Sequence, residues 1–297
     1  MLRTGRVSGH RPKSCARRRQ LLGFRESKSV QTIAITSLKG GVGKTTTTHA
    51  LGVLLSESRH VLLVDADPQA SLTHSCGVSA SSGRSLAHVL GMATGGMALK
   101  DATSPISQNL DIVPSNRSLS STELSLVLRA ERESILKHAI EAITIPRRFR
   151  VPFRRRDRRP DDVVLIDTPP NLGLLTTNAL VAADGVLIPT IPEALGWESL
   201  QQLLTRIDQI RRTLNRNLDV IGILPCFYDD RLLHHKSVIS TMRAAGIRVL
   251  DVKIGRSIRV AEAAQHQQSI VTYAPENKRS LEYQVLARVI EGWLQDR

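Results

Sequence analysis

The sequence predicts an α/β fold: a doubly wound, mostly parallel sheet with helices on both faces. Three observations predict it. Apolar strand-like runs alternate with helix-like runs from about residue 30 to the C-terminus, the pattern of a parallel sheet covered on both sides. A glycine-rich loop, Leu38-Lys39-Gly40-Gly41-Val42-Gly43-Lys44-Thr45-Thr46, joins the strand-like Thr32–Thr36 to the helix-like Thr45–Ser56. Two further apolar runs, Val61–Val64 and Val163–Ile166, each end on an aspartate. A buried strand of that kind delivers a carboxylate to the C-terminal edge of the sheet, where ligands bind in open α/β folds.

Strands are expected near 32–37, 60–65, 110–113, 162–167, 185–190, 219–224 and 248–252, each a short apolar run. Helices are expected near 44–56, 120–143, 173–182, 196–214, 234–245, 257–265 and 279–295, where apolar residues recur at helical spacing. Ser71–Gly96, rich in Ser and Gly, reads as a looser connection with a short helix around Leu86–Leu90. No internal repeat is evident. Residues 1–29 form a basic tail, and residues 30–297 one domain with a basic insertion at about 146–161.

The loop has the chemistry of a phosphate cradle. Gly40, Gly41 and Gly43 carry no side chains, so backbone N–H groups from Lys39 through Val42 to Thr46 can curl around a phosphate. The helix that follows adds a favourable N-terminal dipole. In that geometry Lys44 reaches the β- and γ-phosphates of a bound nucleotide, and the Thr45 hydroxyl ligates Mg²⁺. Asp167, ending its apolar run, is placed to hold Mg²⁺ through a water. Asp65 and Asp67 lie two apart, and Pro68 marks the end of their strand.

Lys39 has no required role in an ordinary phosphate loop, and it narrows the class. The Lys-Gly-Gly-x-x-Lys-Thr pattern resembles the deviant loop of the ParA/MinD group of ATPases. Val61–Gln69, ending Asp65-Ala66-Asp67-Pro68-Gln69, resembles that group's second motif. Val163–Gly173, with Asp167-Thr168-Pro169-Pro170-Asn171, resembles its Walker B and switch segment, and Leu174–Asp184 continues the pattern. The resemblance covers nearly the whole chain from about residue 30. It implies a Mg-dependent ATP hydrolase of low basal rate, with Lys39, Lys44 and Asp67 as the catalytic set. Lys39 would reach the partner's nucleotide across an ATP-dependent homodimer. Asp67 would position the attacking water, and Asp65 would serve structure or the metal.

The C-terminal third resembles ParA more than MinD. Ile221–Leu224 followed by Tyr228-Asp229-Asp230-Arg231 is similar to a ParA strand and loop. Lys253–Ala263 is similar to a ParA segment, except that Gly255 stands where the family often has proline. By that resemblance Arg231, Arg256 and Arg259 bind non-specific double-stranded DNA, with Lys236 and Lys253 as secondary candidates. Such phosphate contacts are salt-dependent and blind to sequence. A ParB-like adaptor and a cytoplasmic, nucleoid-associated location follow from the same resemblance.

Composition agrees. Aromatics are only 3% of residues, which argues against base stacking on single strands. No run approaches the ~18 apolar residues of a membrane span. The last helix has an apolar face from Leu281 to Leu294, but its polar face is not lysine- and arginine-rich, so core packing explains it better than membrane binding. Cys15, Cys76 and Cys226 are scattered without a Cys-x-x-Cys pair, which points to a reducing compartment and away from zinc or iron–sulfur sites.

The net charge of +14 is local. Residues 1–28 carry +8 and residues 147–159 carry +7, which leaves −1 on the rest. The first block reads as an unstructured arm, an organelle transit peptide, or translation from an upstream start with the native one near Val30. The second reads as a mobile surface loop, binding DNA or an acidic partner, or inert. Two other functional classes stay open. One is a ParA-like ATPase positioning a protein cargo, or a MinD-like ATPase. The other is a metabolic phosphate-loop ligase of the dethiobiotin or cobyrinate kind, which would need an acceptor pocket.

Overall fold

The computed structural model describes residues 30–80, 83–91, 97–143 and 162–297. The basic tail 1–29 and the insertion at about 146–161 lie outside the described residues. Eight strands form one sheet: β1 Val30–Ile35, β2 Val61–Asp65, β3 Ser104–Ser107, β4 Leu110–Val113, β5 Asp162–Asp167, β6 Gly185–Thr190, β7 Asp219–Tyr228 and β8 Ile254–Gly255. Their order is β3-β4-β2-β5-β1-β6-β7-β8, and every pairing is parallel except β3 with β4.

The helices are α1 Lys44–Ser56, α2 Ser71–Ser75, α3 Leu86–Gly91, α4 Ser118–Leu126, α5 Ile135–Ile143, α6 Leu174–Ala182, α7 Ala194–Thr213, α8 Leu233–Ala244, α9 Ile258–Gln265, α10 Ile270–Tyr273 and α11 Lys278–Gln295. The side-chain period of two along each strand feeds two separate cores. Ile33, Ile35, Leu63 and Leu165 pack with Leu51 and Leu55 of α1 and with Leu286 and Ile290 of α11. Ala34, Val64, Val164 and Ile166 pack on the other face with α3 to α8 residues such as Leu90, Leu126, Ile140, Leu180 and Leu203. The doubly wound expectation holds.

Three elements differ from the sequence reading. The run 248–252 is not a strand: Val249 makes one bridge to Ile223, and the ladder resumes only at Ile254. From the Ile223–Val249 bridge to the Cys226–Ile254 pair, β7 advances less far along the sequence than the segment beside it, so the residues between Val249 and Ile254 leave the ladder. The helix expected over 120–143 is two helices. Glu131 adopts a left-handed φ of 54°, and the Asn178 amide takes over the freed backbone, accepting from Leu136 N–H at 3.1 Å and donating to the Arg132 carbonyl at 2.7 Å. The antiparallel edge strand β3 and the short helices α2 and α10 carry little periodic signal and were not expected.

The C-terminal helix is part of the core. Tyr283, Leu286, Ile290, Trp293 and Leu294 are buried, Trp293 Nε1 donates to Asp219 Oδ2 at 3.0 Å, and Gln31 donates to the Leu294 carbonyl at 2.9 Å. Among the described residues, no helix is long and apolar enough to cross a membrane.

Candidate functional site

The site follows from register. In the sheet Ile35 pairs with Asp167, and Asp65 pairs with Asp167, so β1, β2 and β5 end level at the C-terminal edge. The chain leaves β1 through the glycine loop and re-enters as α1. Gly41 and Gly43 adopt φ of 70° and 95°, conformations that a side chain disfavours. Gly43 is the N-cap of α1 and offers no side-chain cap, so the first amides of the helix remain available to an anion.

The two loop lysines are placed differently. Lys44 is 7% exposed, and its Nζ lies 3.4 Å from the Lys39 carbonyl. Burial lowers its pKa, while Asp167 and Asp67 oppose the shift. The Lys39 side chain is 37% exposed and swings outward to Glu193 Oε2 at 2.8 Å. Glu193 is the N-cap residue of α7, at the end of β6.

Asp167 is buried at 1% exposure. Its Oδ2 accepts from Thr45 Oγ1 at 2.7 Å, and its Oδ1 has no hydrogen-bond partner among the described residues. Burial, with Asp65 adding to it, pushes its pKa up to about 8 against the Thr45 hydroxyl and Lys44. A buried carboxylate oxygen without a donor, beside a threonine hydroxyl, is a set that fits a hard divalent cation such as Mg²⁺.

Asp65 is fully buried and committed elsewhere. It accepts from Thr73 N–H at 2.8 Å, Thr73 Oγ1 at 2.7 Å and Asp67 N–H at 3.2 Å, and Thr73 Oγ1 in turn accepts from Ser115 N–H at 2.9 Å. Burial pushes its pKa up to about 6, with these donors opposing. Of the two duties expected for Asp65, the contacts favour structure: it pins α2 and the β4–α4 turn to the end of β2. Asp67 lies on the half-exposed rim, its Oδ1 accepting from Gln69 N–H at 2.9 Å.

The five candidate DNA-binding residues flank the other end of the same sheet edge, where Tyr228 pairs with Gly255. Lys253 Nζ lies 4.3 Å from the Tyr228 ring centre and the Arg256 guanidinium 5.9 Å from that of Phe227. Lys236 is exposed on α8. Arg231 is held bidentately by Asp229 at 3.0 and 2.7 Å, and Arg259 by Glu262 at 2.8 Å, so both enter any phosphate contact already paired. Gly255 is explained locally. Its N–H donates to Glu282 Oε2 at 2.9 Å, and a Cβ there would run into the Arg279 guanidinium.

Sequence reasoning missed Glu193 and Thr73. Glu193 stands just past β6 at the ligand edge of the sheet, which is a usable signal. Thr73 reaches Asp65 across a turn with no motif to announce it.

Comparison with known proteins agrees with this geometry. The AAA domain family matches residues 30–220. The chain is 35% identical over 271 residues to the chromosome partitioning protein ParA of Caulobacter vibrioides, covering 90% of this chain and 96% of that one. It is 34% identical over 260 residues to the sporulation initiation inhibitor protein Soj of Bacillus subtilis, covering 87% and 97%. Among solved structures, cobyrinic acid a,c-diamide synthase from Mycobacterium smegmatis with bound ADP and magnesium matches with a TM-score of 0.73 at 31% identity, over 90% and 97% of the two chains. With a deviant glycine loop, Asp-Pro-Gln and Asp-Thr-Pro-Pro-Asn at one sheet edge and full-length likeness to ParA and Soj, the chain belongs to the ParA/Soj family of partitioning ATPases.

Proposed function

We propose that this chain is a Mg-ATP-dependent dimerising ATPase that binds double-stranded DNA without sequence preference in its ATP state. It would act in chromosome or plasmid partitioning with a ParB-like adaptor, on the nucleoid. The observation that carries the reading is the division between the two lysines of one loop. Lys44 is buried against the phosphate cradle, and Lys39 is half-exposed and turned outward to Glu193, the contact it would exchange for a neighbouring subunit's nucleotide.

In this reading the loop amides from Lys39 to Thr46 and the α1 N-terminus bind the phosphates, and Lys44 neutralises their β/γ end. Thr45 and Asp167 would hold Mg²⁺, Asp167 through a water, and the ion would offset charge on the transferring phosphoryl group. Asp67, on the rim, orients the attacking water. Phosphoryl transfer needs chiefly placement and charge neutralisation, which is what these residues supply. A free subunit lacks the partner's Lys39, so its basal rate is low. Residues 30–297 act as one domain, and the DNA surface comprises Arg256, Lys253 and Lys236 together with Arg231 and Arg259.

The test is binding of the full chain to non-specific duplex DNA with ATP and with ADP, across salt. ATP-dependent binding that weakens steeply with salt and is lost on Arg256→Ala plus Lys253→Ala supports the reading. Equal binding with either nucleotide, or none, sinks it. Likeness to a cobyrinic acid a,c-diamide synthase keeps a metabolic ligase as the second reading. That enzyme class predicts no DNA dependence and turnover only with an acceptor substrate.

A further inference from the structure

We propose that Glu123 of α4 is a positioning residue for the turn that follows Asp167, fixing its far end so that the turn can act on the nucleotide. The inference rests on the ATP reading above.

The turn Thr168–Gly173 is anchored at two points. At its start, Thr168 is buried, and its N–H and Oγ1 donate to the Ile35 carbonyl at 3.3 and 3.0 Å, which ties it to the end of β1 beside the glycine loop. At its far end the chain enters α6 at Gly173, an N-cap with no capping side chain of its own. Glu123 supplies what is missing. Its Oε1 accepts from Leu175 N–H at 3.1 Å, placing a carboxylate on the α6 N-terminus from a helix 52 residues away in sequence. Between the anchors, Pro170 and Asn171 are exposed, and Leu172 is 36% exposed.

Gly173 belongs to the same device. A Cβ there would overlap Glu123 Oε1 and come within 2.8 Å of Asn171 Oδ1, the atom that accepts Gly173 N–H at 2.9 Å. The glycine therefore lets the Glu123 carboxylate and the Asn171 side chain approach one backbone point together. Neither of these hydrogen bonds involves a residue of the phosphate loop. Losing Glu123 thus leaves nucleotide binding in place and loosens only the segment that runs from Asp167 to α6.

The experiment compares Glu123→Ala, Glu123→Gln, Gly173→Ala and the Glu123→Ala/Gly173→Ala double variant in the full chain. It reads kcat for Mg-ATP, and separately the affinity for a fluorescent ATP analogue. Glu123→Ala is expected to lower kcat about tenfold, the scale of a lost positioning contact, with affinity unchanged within about twofold. Glu123→Gln, which keeps the accepting oxygen, restores most of kcat. Gly173→Ala reproduces the Glu123→Ala loss, and the double variant is no worse than either, because both remove one contact. Additive losses, failure of Glu123→Gln to rescue, unchanged kcat, or affinity falling in parallel with kcat would each overturn the proposal. A wild-type chain that binds no ATP analogue refutes the ATPase reading instead, so the two failures are distinguishable.

Discussion

Replacing Gly255 by proline, the residue expected there from the resemblance of Lys253–Ala263 to a ParA segment, is predicted by the structure to destabilise the chain. Gly255 N–H donates to Glu282 Oε2 at 2.9 Å, and proline has no N–H to give. The acceptor is a carboxylate only 19% exposed in its side chain, so the bond lost is charge-assisted and little screened, about 1.5–3 kcal/mol. The added ring also meets the Arg279 guanidinium. Arg279 then has to leave the Arg256 carbonyl, which it contacts at 3.0 Å, and its ion pair with Glu282 at 2.8 Å. Against this, proline restricts the unfolded chain, a gain of about 0.4–1 kcal/mol. The lost bond net of that gain costs about 0.5–2.6 kcal/mol, to which the displacement of Arg279 adds, or roughly 2–10 °C in Tm for a domain of this size. Urea and thermal melts of Gly255→Pro measure it. In an Arg279→Ala background the same substitution should cost less, since the clash is gone. A Gly255→Pro chain as stable as the wild type would refute the claim that the Arg279–Glu282 pair is what selects glycine here.

Three other outcomes are expected. Glu193→Gln changes stability by less than about 1 kcal/mol, because the pair with Lys39 is solvent-exposed, but it frees Lys39 and strengthens ATP-dependent self-association in sedimentation; weaker association would count against the outward lysine's role. His49 is buried, which lowers its pKa from 6.5 to about 4, so folding stability is full above about pH 6.5 and falls as pH drops toward 4. His49→Gln removes that loss, and between pH 7 and 4 its stability should rise relative to wild type by about 3 kcal/mol in denaturant titrations; parallel curves would refute the shift. Thr73→Val strips a buried hydroxyl that serves both Asp65 and Ser115, costing about 2–3 kcal/mol in urea unfolding, and a loss under about 0.5 kcal/mol would show that Asp65 is not the pin described.

What the sequence made legible is what lies within one turn of chain. The glycine loop, its flanking strand and helix, and the apolar runs ending at Asp65 and Asp167 are local patterns, and the structure sets them side by side through the sheet register. The strand expected over 248–252 failed for a non-local reason. Its apolar residues Val249 and Leu250 are indeed buried, but only Val249 bridges β7, at Ile223, and the chain returns to the ladder at Ile254. The long helix expected over 120–143 failed in the same way. Between its two halves the Asn178 amide from α6 takes the Arg132 carbonyl and the Leu136 N–H, contacts from 46 and 42 residues away that no local pattern announces.

The same division runs through the candidate site. Residues that act through their own backbone surroundings, Gly41, Gly43, Lys44 and Thr45, were readable because the motif is the mechanism. Asp65 was not fully readable, because a carboxylate at a strand end can serve a metal or a fold, and only its three donors from Thr73 and Asp67 decide. The candidate DNA arginines show the converse. As sequence, Arg231 and Arg259 look equivalent to Arg256. In the structure the first two already face carboxylates, and a phosphate must compete with Asp229 and Glu262 for them. Arg256 and Lys253 instead set their charged groups over the Phe227 and Tyr228 rings, contacts that leave the positive charge unneutralised. If DNA binding is carried at this edge, its salt dependence should therefore fall more when Arg256 and Lys253 are removed than when Arg231 and Arg259 are, because only the former pair meets a phosphate without first giving up an ion pair.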